Sequence, residues 1–451
     1  MLRDPTYISA RPARFSEVRL QPPMRLHLPV GGQASMRCAI EIGLYFVLCE
    51  GLLRRLAPAA GMSLLAVKFL YFPLVYALFI SRRNVAVTPR IPTGIVLFLC
   101  WGVLISLLHA LQYPLTAGFG MAVNLTFVPI AVVAGGAYRT KQDVARALYR
   151  LAVFGALVGV LSLYQSTLPS NHWLNRGMDL SDRIEERVTG TFPFCTVLGN
   201  FVMGGTIAGL ATITLATKKS TKLLFGFGWL ALEIGGLFSG SRAGSLGSAI
   251  ILVLVLTLST KRIKRAAQIA FLILVAVAAN TFGILQIGST KSSRRAVATE
   301  DVQGRVQQDY VGGNLGDAFG VTSGLGTGWG PYTMGISVYG ERLGFKETPP
   351  STALEGGYTY ILAETGVIGL LLFLCMHSSF ASGLRSQGTL RWLGPAIAVW
   401  SLLGNLPLCL QEVPVLAVAW WFLTGLYWST LRQDESSRVL RWRARSPGHG
   451  Y

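Results

Sequence analysis

Ile250-Ile-Leu-Val-Leu-Val-Leu-Thr-Leu258-Ser-Thr-Lys261-Arg262-Ile263-Lys264-Arg265-Ala-Ala-Gln-Ile-Ala-Phe271-Leu-Ile-Leu-Val-Ala-Val-Ala-Ala279 is two uncharged apolar runs separated by a knot of four cations. A bilayer core about 30 Å thick is spanned by around 20 mostly apolar helical residues. Lysine and arginine collect in the loops on the cytoplasmic side. The stretch therefore predicts two membrane helices joined by a cytoplasmic turn. Outward from it the same alternation recurs, giving twelve apolar runs: 38–53, 61–80, 91–111, 116–137, 144–168, 191–216, 223–239, 245–259, 266–288, 356–380, 393–410 and 413–431. The composition agrees. Of 451 residues, 51 % are apolar and only 14 % charged, with mean hydropathy +0.49, where soluble chains carry roughly 25 % charged residues. A water-soluble enzyme is excluded. So is a disulfide scaffold, because Cys38, Cys49, Cys100, Cys195, Cys375 and Cys409 all lie in or beside apolar runs, where a thiol serves as a small core side chain.

With the N-terminus inside, the cytoplasmic stretches are 1–37, 81–90, 138–150, 217–223, 259–266, 381–392 and 432–451. They hold 27 of the 40 Lys and Arg against five acids, about +22 in all, while the opposite face carries twelve of each sign. The excess of +19 over the chain is thus topogenic, and nucleic acid drops out as a partner. The organisation expected is a basic tail (1–37) without fixed structure, helices one to nine (38–288), a large outer loop (289–355), helices ten to twelve (356–431) and a second basic tail (432–451). Residues 1–36 have no apolar core of the kind a cleaved signal peptide needs.

Two outer loops are long. One, 169–190, carries His172, Arg176, Asp182, Arg183, Glu185, Glu186 and Arg187. The other, 289–354, contains Gly320-Val-Thr-Ser-Gly324-Leu-Gly326-Thr-Gly328-Trp-Gly330. Loops of that length in a compact chain are usually functional or disordered. Gly324, Gly326 and Gly328 allow tight turns and close backbone approach to a ligand. Gly236, Gly240 and Gly244, like Gly205 and Gly209, recur every fourth residue, the spacing that lets membrane helices pack closely. The outward arginines Arg187, Arg242 and Arg305 are candidate anion ligands, because a guanidinium grips phosphate or carboxylate oxygens in pairs at any relevant pH. Each has a plain alternative in an ion pair or a lipid headgroup. Glu355, at the start of the tenth run, reads either as a helix cap or as a general base. Glu364, inside that run, needs a partner and reads as a structural hydrogen-bonding residue. Lys68, Glu233, Glu41 and Glu50 are further intramembrane charges. The five histidines are scattered and give no metal spacing, and no phosphate-binding glycine motif stands between a strand and a helix.

Three segments in order resemble the O-antigen ligase and O-antigen polymerase (Wzy-type) superfamily: Arg187-Val-Thr-Gly190-Thr-Phe192, Ser239-Gly-Ser-Arg242-Ala-Gly244, and Gly324-Leu-Gly326-Thr-Gly328 leading to Glu355…Tyr358…Glu364-Thr-Gly366-Val-Ile-Gly369. The similarity covers roughly 187–375. This chain has Glu355-Gly356 where ligases of the family usually have His-Asn, and Pro193-Phe194-Cys195 where Asn-Pro-Asn is often found. The resemblance implies a bacterial inner-membrane enzyme that polymerises or ligates undecaprenyl-pyrophosphate-linked oligosaccharides at the periplasmic face, in O-antigen or exopolysaccharide assembly. Its implied partners are the lipid-linked donor, an acceptor glycan, the bilayer and other polysaccharide-assembly proteins; it implies no metal and no cofactor. Arg187 and Arg242, with Arg305, would hold the pyrophosphate, and Glu355 would take the acceptor proton. Two other readings are a polytopic transporter or flippase of envelope precursors and a non-catalytic membrane scaffold. Carriers of the major facilitator type show two six-span halves about a central cytoplasmic loop. Here the loop after the sixth run has about seven residues and no internal repeat is visible.

Overall fold

The structure is a computed structural model, and the residues it describes are 30–81, 91–169, 172–175, 188–258, 314–322, 324–333, 356–385 and 388–445. Among them no strand occurs. The helices, in chain order, are α1 (Val30–Leu48), α2 (Glu50–Leu56), α3 (Gly61–Ser81), α4 (Thr93–Ala110), α5 (Pro114–Leu125), α6 (Val128–Ala137), α7 (Lys141–Thr167), α8 (Cys195–Leu215), α9 (Lys219–Phe238), α10 (Arg242–Leu258), α11 (Asn314–Thr322), α12 (Gly357–Met376), α13 (Leu393–Gly404) and α14 (Pro414–Arg445). Seven helical stretches among the described residues are long and apolar enough to cross a bilayer: Thr93–Ala110, Pro114–Ala137, Lys141–Thr167, Cys195–Leu215, Lys219–Phe238, Gly357–Leu384 and Pro414–Ser436. Ala66–Ser81, Ala243–Leu258 and Leu393–Gly404 are shorter apolar helices. The chain is an all-α membrane protein. Of the twelve apolar runs, 266–288 lies outside the described residues, as does most of the loop 289–354.

Local chemistry sets the breaks. Pro129 has no N–H and its ring crowds the carbonyl of Leu125, so the fourth apolar run divides into α5 and α6 around Thr126, whose N–H and Oγ1 both turn back to the Ala122 carbonyl (3.1 and 2.6 Å). Thr140 and Asp143 close a capping box at the start of α7, satisfying two otherwise orphaned N–H groups. Helix α1 begins at Val30, earlier than the expected tail boundary: Met36 is buried and Arg37 pairs with Asp143 of α7, which ties the end of the tail to the bundle.

Burial separates core from lipid-facing helices. Within the membrane windows 89 % of α8 and 83 % of α14 is buried inside the protein, against 22 % of α4. Helices α8 and α14 therefore form the axis, while α4 turns Leu97, Leu104 and Leu107 outward. Glycine lets the neighbours close on α8. A Cβ on Gly205 would stand 2.3 Å from Leu232 Cδ2, one on Gly236 2.6 Å from Val202 Cγ2, and one on Gly244 2.0 Å from the Gly199 carbonyl. Such packing, not the hydrophobic effect, joins helices in lipid.

The intramembrane charges find partners across helices. Lys68 Nζ donates to both Glu50 oxygens at 2.8 Å, Arg150 pairs with Glu41, to which Tyr138 Oη also donates (2.9 Å), and Glu233 accepts from Thr206 and Trp229.

Contacts sort the connecting segments into two ends. At one, the basic end, Arg37 meets Asp143, Arg432 donates to the Gly135 carbonyl and Arg391 Nε donates to the Leu258 carbonyl at 2.6 Å. At the other, the loop end, α2 meets residues 189–192, residues 405–408 meet the start of α12, and residues 328–330 meet α4 and α5. Segments that the charge count assigns to one face meet only others of that face in these contacts.

Candidate functional site

The loop end is built around the first turns of α8. Residues 188–194 form a tight turn before it, and three elements hold that turn. Arg55, at the end of α2, donates to the carbonyls of Gly190 (2.8 Å) and Phe192 (2.6 Å) and to Thr189 Oγ1. Gln165, buried in α7, accepts from the Gly190 N–H at 2.8 Å and donates to the Leu174 carbonyl at 2.8 Å. The Thr191 hydroxyl donates to the Leu48 carbonyl, and its own carbonyl takes the Leu52 N–H. Gly190 has φ +60°, a conformation glycine adopts without cost. Burial lowers the Arg55 guanidinium to about 10. It stays charged at neutral pH, and its fork is spent on backbone oxygens.

The turn abuts the end of α9. Val188 N–H donates to the Phe238 carbonyl at 3.3 Å, so the residue after Arg187 is bonded to the residue four before Arg242. From there Ser239 Oγ caps the Gly236 carbonyl (2.6 Å) and receives the Ser241 N–H (3.2 Å), and Gly240 turns at φ +69° into α10. The Ser239–Gly244 turn rests on α8: a Cβ on Gly199 would stand 2.1 Å from Ser241 Cβ. On the next residue of α8, Asn200 Oδ1 lies 2.9 Å from where Gly404 would carry a Cβ. Asn405, which follows, accepts the Gly357 N–H on its carbonyl at 2.9 Å. Gly356 and Gly357 follow Glu355 in the chain. The segments beside Arg187 and Arg242 thus meet at the first turns of α8, while the segment after Glu355 meets Asn405, whose neighbour Gly404 packs on Asn200 of α8.

Arg187, Arg305 and Glu355 themselves lie outside the described residues, and Arg242 is described only as the first residue of α10. Gly324, Gly326 and Gly328 are described, with φ of +74°, +86° and +83°. Their segment enters the bundle between α4, α5 and α12. Gly366 interrupts α12 at φ +68°, and the glycine run closes on that interruption. Val367 N–H donates to the Gly324 carbonyl (2.9 Å), Thr327 N–H to Ala363 (3.0 Å) and Gly328 N–H to Glu364 (2.8 Å). Trp101 Nε1 caps the Thr365 carbonyl at 2.8 Å, and Trp329 N–H binds Ser106 Oγ at 2.8 Å. These bonds satisfy the backbone groups freed by the break, without which irregular backbone is not tolerated at membrane depth. What Gly326 and Gly328 approach closely is protein backbone, that of 364–366 and of 105–106.

Glu364 sits in the angle between the run and α12. Its Oε1 accepts from Gly330 N–H (3.2 Å) and Thr333 Oγ1 (2.6 Å), and its carboxyl lies beside that of Glu412. Both are buried.

Sequence reasoning missed Arg55, Gln165 and the Glu364–Glu412 pair. The signals were present: Gln165 is an amide inside an apolar run, and Gln411-Glu412 splits the last two runs. Among the described residues no cluster of His, Cys, Asp and Glu has the makings of a metal site. Compared with known proteins, the chain matches no family model, and no curated protein is significantly similar to it.

Proposed function

We propose that the protein is a membrane glycosyltransferase that polymerises or ligates polyprenyl-pyrophosphate-linked oligosaccharides at the loop end, on the periplasmic face of a bacterial inner membrane. The observation that carries the reading is that the segments beside Arg187 and Arg242 meet at the first turns of α8, with the segment after Glu355 joined to them through Gly404 and Asn405. In this reading the guanidinium groups of Arg187 and Arg242 offset the charge that grows on the pyrophosphate as the anomeric C–O bond breaks, a stabilisation strongest in a site shielded from water. Glu355 takes the proton of an acceptor hydroxyl, which attacks from the opposite face and inverts the anomeric centre. Pyrophosphate leaves without a general acid, so one carboxylate suffices where hydrolases use two. Arg305 is a third candidate on the pyrophosphate. The rigid turns at 188–192 and 239–242 supply the positioning on which such catalysis depends.

A second reading has its own support. A broken membrane helix beside a buried carboxyl pair is a feature of secondary transporters, where interrupted helices build the ion site. The interruption of α12 at Gly366 next to Glu364 and Glu412 favours a carrier or flippase of lipid-linked precursors. Turnover in detergent separates the two, because micelles have no compartments to transport between. The purified protein, given labelled polyprenyl-pyrophosphate oligosaccharide and acceptor, should release polyprenyl pyrophosphate and lengthen the glycan. Arg242→Ala should lower the rate by about 10²–10³-fold and Glu355→Gln by roughly 10²–10⁴-fold. A well-folded wild-type protein that makes no product, yet moves the lipid-linked glycan across vesicles, would establish the carrier instead.

A further inference from the structure

At the basic end, far from the first turns of α8, an open hollow lies between α7, α8, α14, Gly383 and residues 388–391. Its apolar wall is Val144, Leu215, Leu390 and Leu431, and Lys141, Arg391 and Asp434 stand on its polar side. The arginine is preset: its Nε is bound to the Leu258 carbonyl at 2.6 Å, and its two Nη groups make no hydrogen bond or ion pair among the described residues. Lys141 is 74 % exposed, and its Nζ stands 4.0 Å from Asp434 Oδ1, the far limit of an ion pair. A guanidinium oriented by one bond and facing a hollow through its remaining donors suits a phosphate, which it binds with two parallel bonds. The wall beneath is hydrocarbon-like. The hollow also borders the end of the bundle where the chain's positive charge collects, the level at which lipid headgroups lie.

We propose that this hollow binds the phosphoethanolamine headgroup of a membrane phospholipid, independently of any glycosyl transfer. Arg391 and Lys141 take the phosphate, Asp434 faces the ammonium, and the first methylenes of the lipid lie on Val144, Leu215 and Leu431. Asp434 sets the choice of headgroup, since its carboxylate pairs with and accepts from a primary ammonium, which the glycerol of phosphatidylglycerol lacks and the quaternary nitrogen of phosphatidylcholine cannot match as a donor.

Native mass spectrometry of the full-length protein, titrated with phosphatidylethanolamine, phosphatidylglycerol, phosphatidylcholine or inorganic phosphate, tests this. The wild type should retain one phosphatidylethanolamine in preference to the other lipids. Arg391→Met and Lys141→Met should each weaken retention about fivefold, the factor that one basic group contributes at a membrane surface. Asp434→Asn should keep binding but shift the preference toward phosphatidylglycerol. Circular dichroism and size exclusion identify any variant that misfolds, and the Asp434→Asn shift in preference is read within one folded protein. Equal retention by wild type and Arg391→Met, or no preference among lipids, would overturn the proposal. Displacement of the lipid by submillimolar inorganic phosphate would overturn it too, assigning the hollow to a soluble phosphate compound.

Discussion

Arg55 illustrates how much of a turn can hang on one guanidinium. Its acceptors include Gly190, Phe192 and Thr189, so it fixes the turn directly after Arg187 while its own charge is half-buried in the protein. Hydrogen bonds from a charged donor contribute roughly 1.5–3 kcal/mol each. Arg55→Ala should therefore lower the unfolding free energy in detergent by about 3 kcal/mol, visible as a drop in melting temperature. Arg55→Lys should recover less than half of that loss, because an ammonium lacks the planar fork. Full recovery would mean that charge alone holds the turn. Glu364 gives the complementary case. Glu364→Gln keeps an acceptor for Gly330 and Thr333 and adds a donor toward Glu412, so stability should stay within about 1 kcal/mol of wild type. Glu364→Ala strands a buried N–H and a buried hydroxyl and should cost roughly 2–4 kcal/mol. Neither partnership was legible in the sequence. That Glu364 needed a partner followed from its place in an apolar run, but Glu412 and Thr333 are distant in the chain and meet it only through tertiary packing. Lys68 with Glu50, and Glu41 with Arg150, were hidden for the same reason.

At the scale of elements, the apolar runs and their cationic flanks were readable because lipid imposes one requirement on every span, while the interruption of α12 was not. Gly366 looks like any membrane-helix glycine until the segment 324–330 is seen to fill the break. That docking explains why the glycines cannot be replaced. A Cβ on Gly326 would stand 2.5 Å from Gly366 N, and one on Gly366 2.4 Å from the Leu325 carbonyl, both at positive φ. Gly326→Ala and Gly366→Ala should each cost about 2–3 kcal/mol through strain and lost backbone bonds, and limited proteolysis should then cut within 324–333. Gly320 in α11 has open space around it; Gly320→Ala should be neutral or stabilising, by up to roughly 1 kcal/mol from helix propensity. If Gly320→Ala and Gly326→Ala proved equally damaging, the docking of the glycine run on α12 would be wrong. That Gly205, Gly236 and Gly244 serve close helix packing was legible from the abundance and spacing of small residues, but the 236–244 repeat runs through the turn between α9 and α10 and marks no single helix face.

For the whole molecule, the two ends differ in what they are built to do. Cations at the basic end are spread over several helices, as topogenic charges are, and Arg37, Arg150 and Arg432 bond to neighbouring helices. The loop end gathers two tight turns at the first turns of the well-buried helix α8, and a broken helix with a buried carboxyl pair beside α4 and α5. Its convergence could not be read from sequence, because Val188–Phe238, Gly199–Ser241 and Gly357–Asn405 are contacts between distant segments; only the order of the motifs hinted at it. Photoaffinity labelling with a diazirine-bearing polyprenyl pyrophosphate, followed by peptide mapping, addresses the central claim directly. Labelling should concentrate on peptides containing 187–200 and 239–247 and be competed by unlabelled polyprenyl pyrophosphate. It should fall about tenfold or more in Arg187→Ala/Arg242→Ala, consistent with the loss of bidentate phosphate contacts. Labelling spread evenly over the lipid-facing helices, or confined to the basic end, would contradict it.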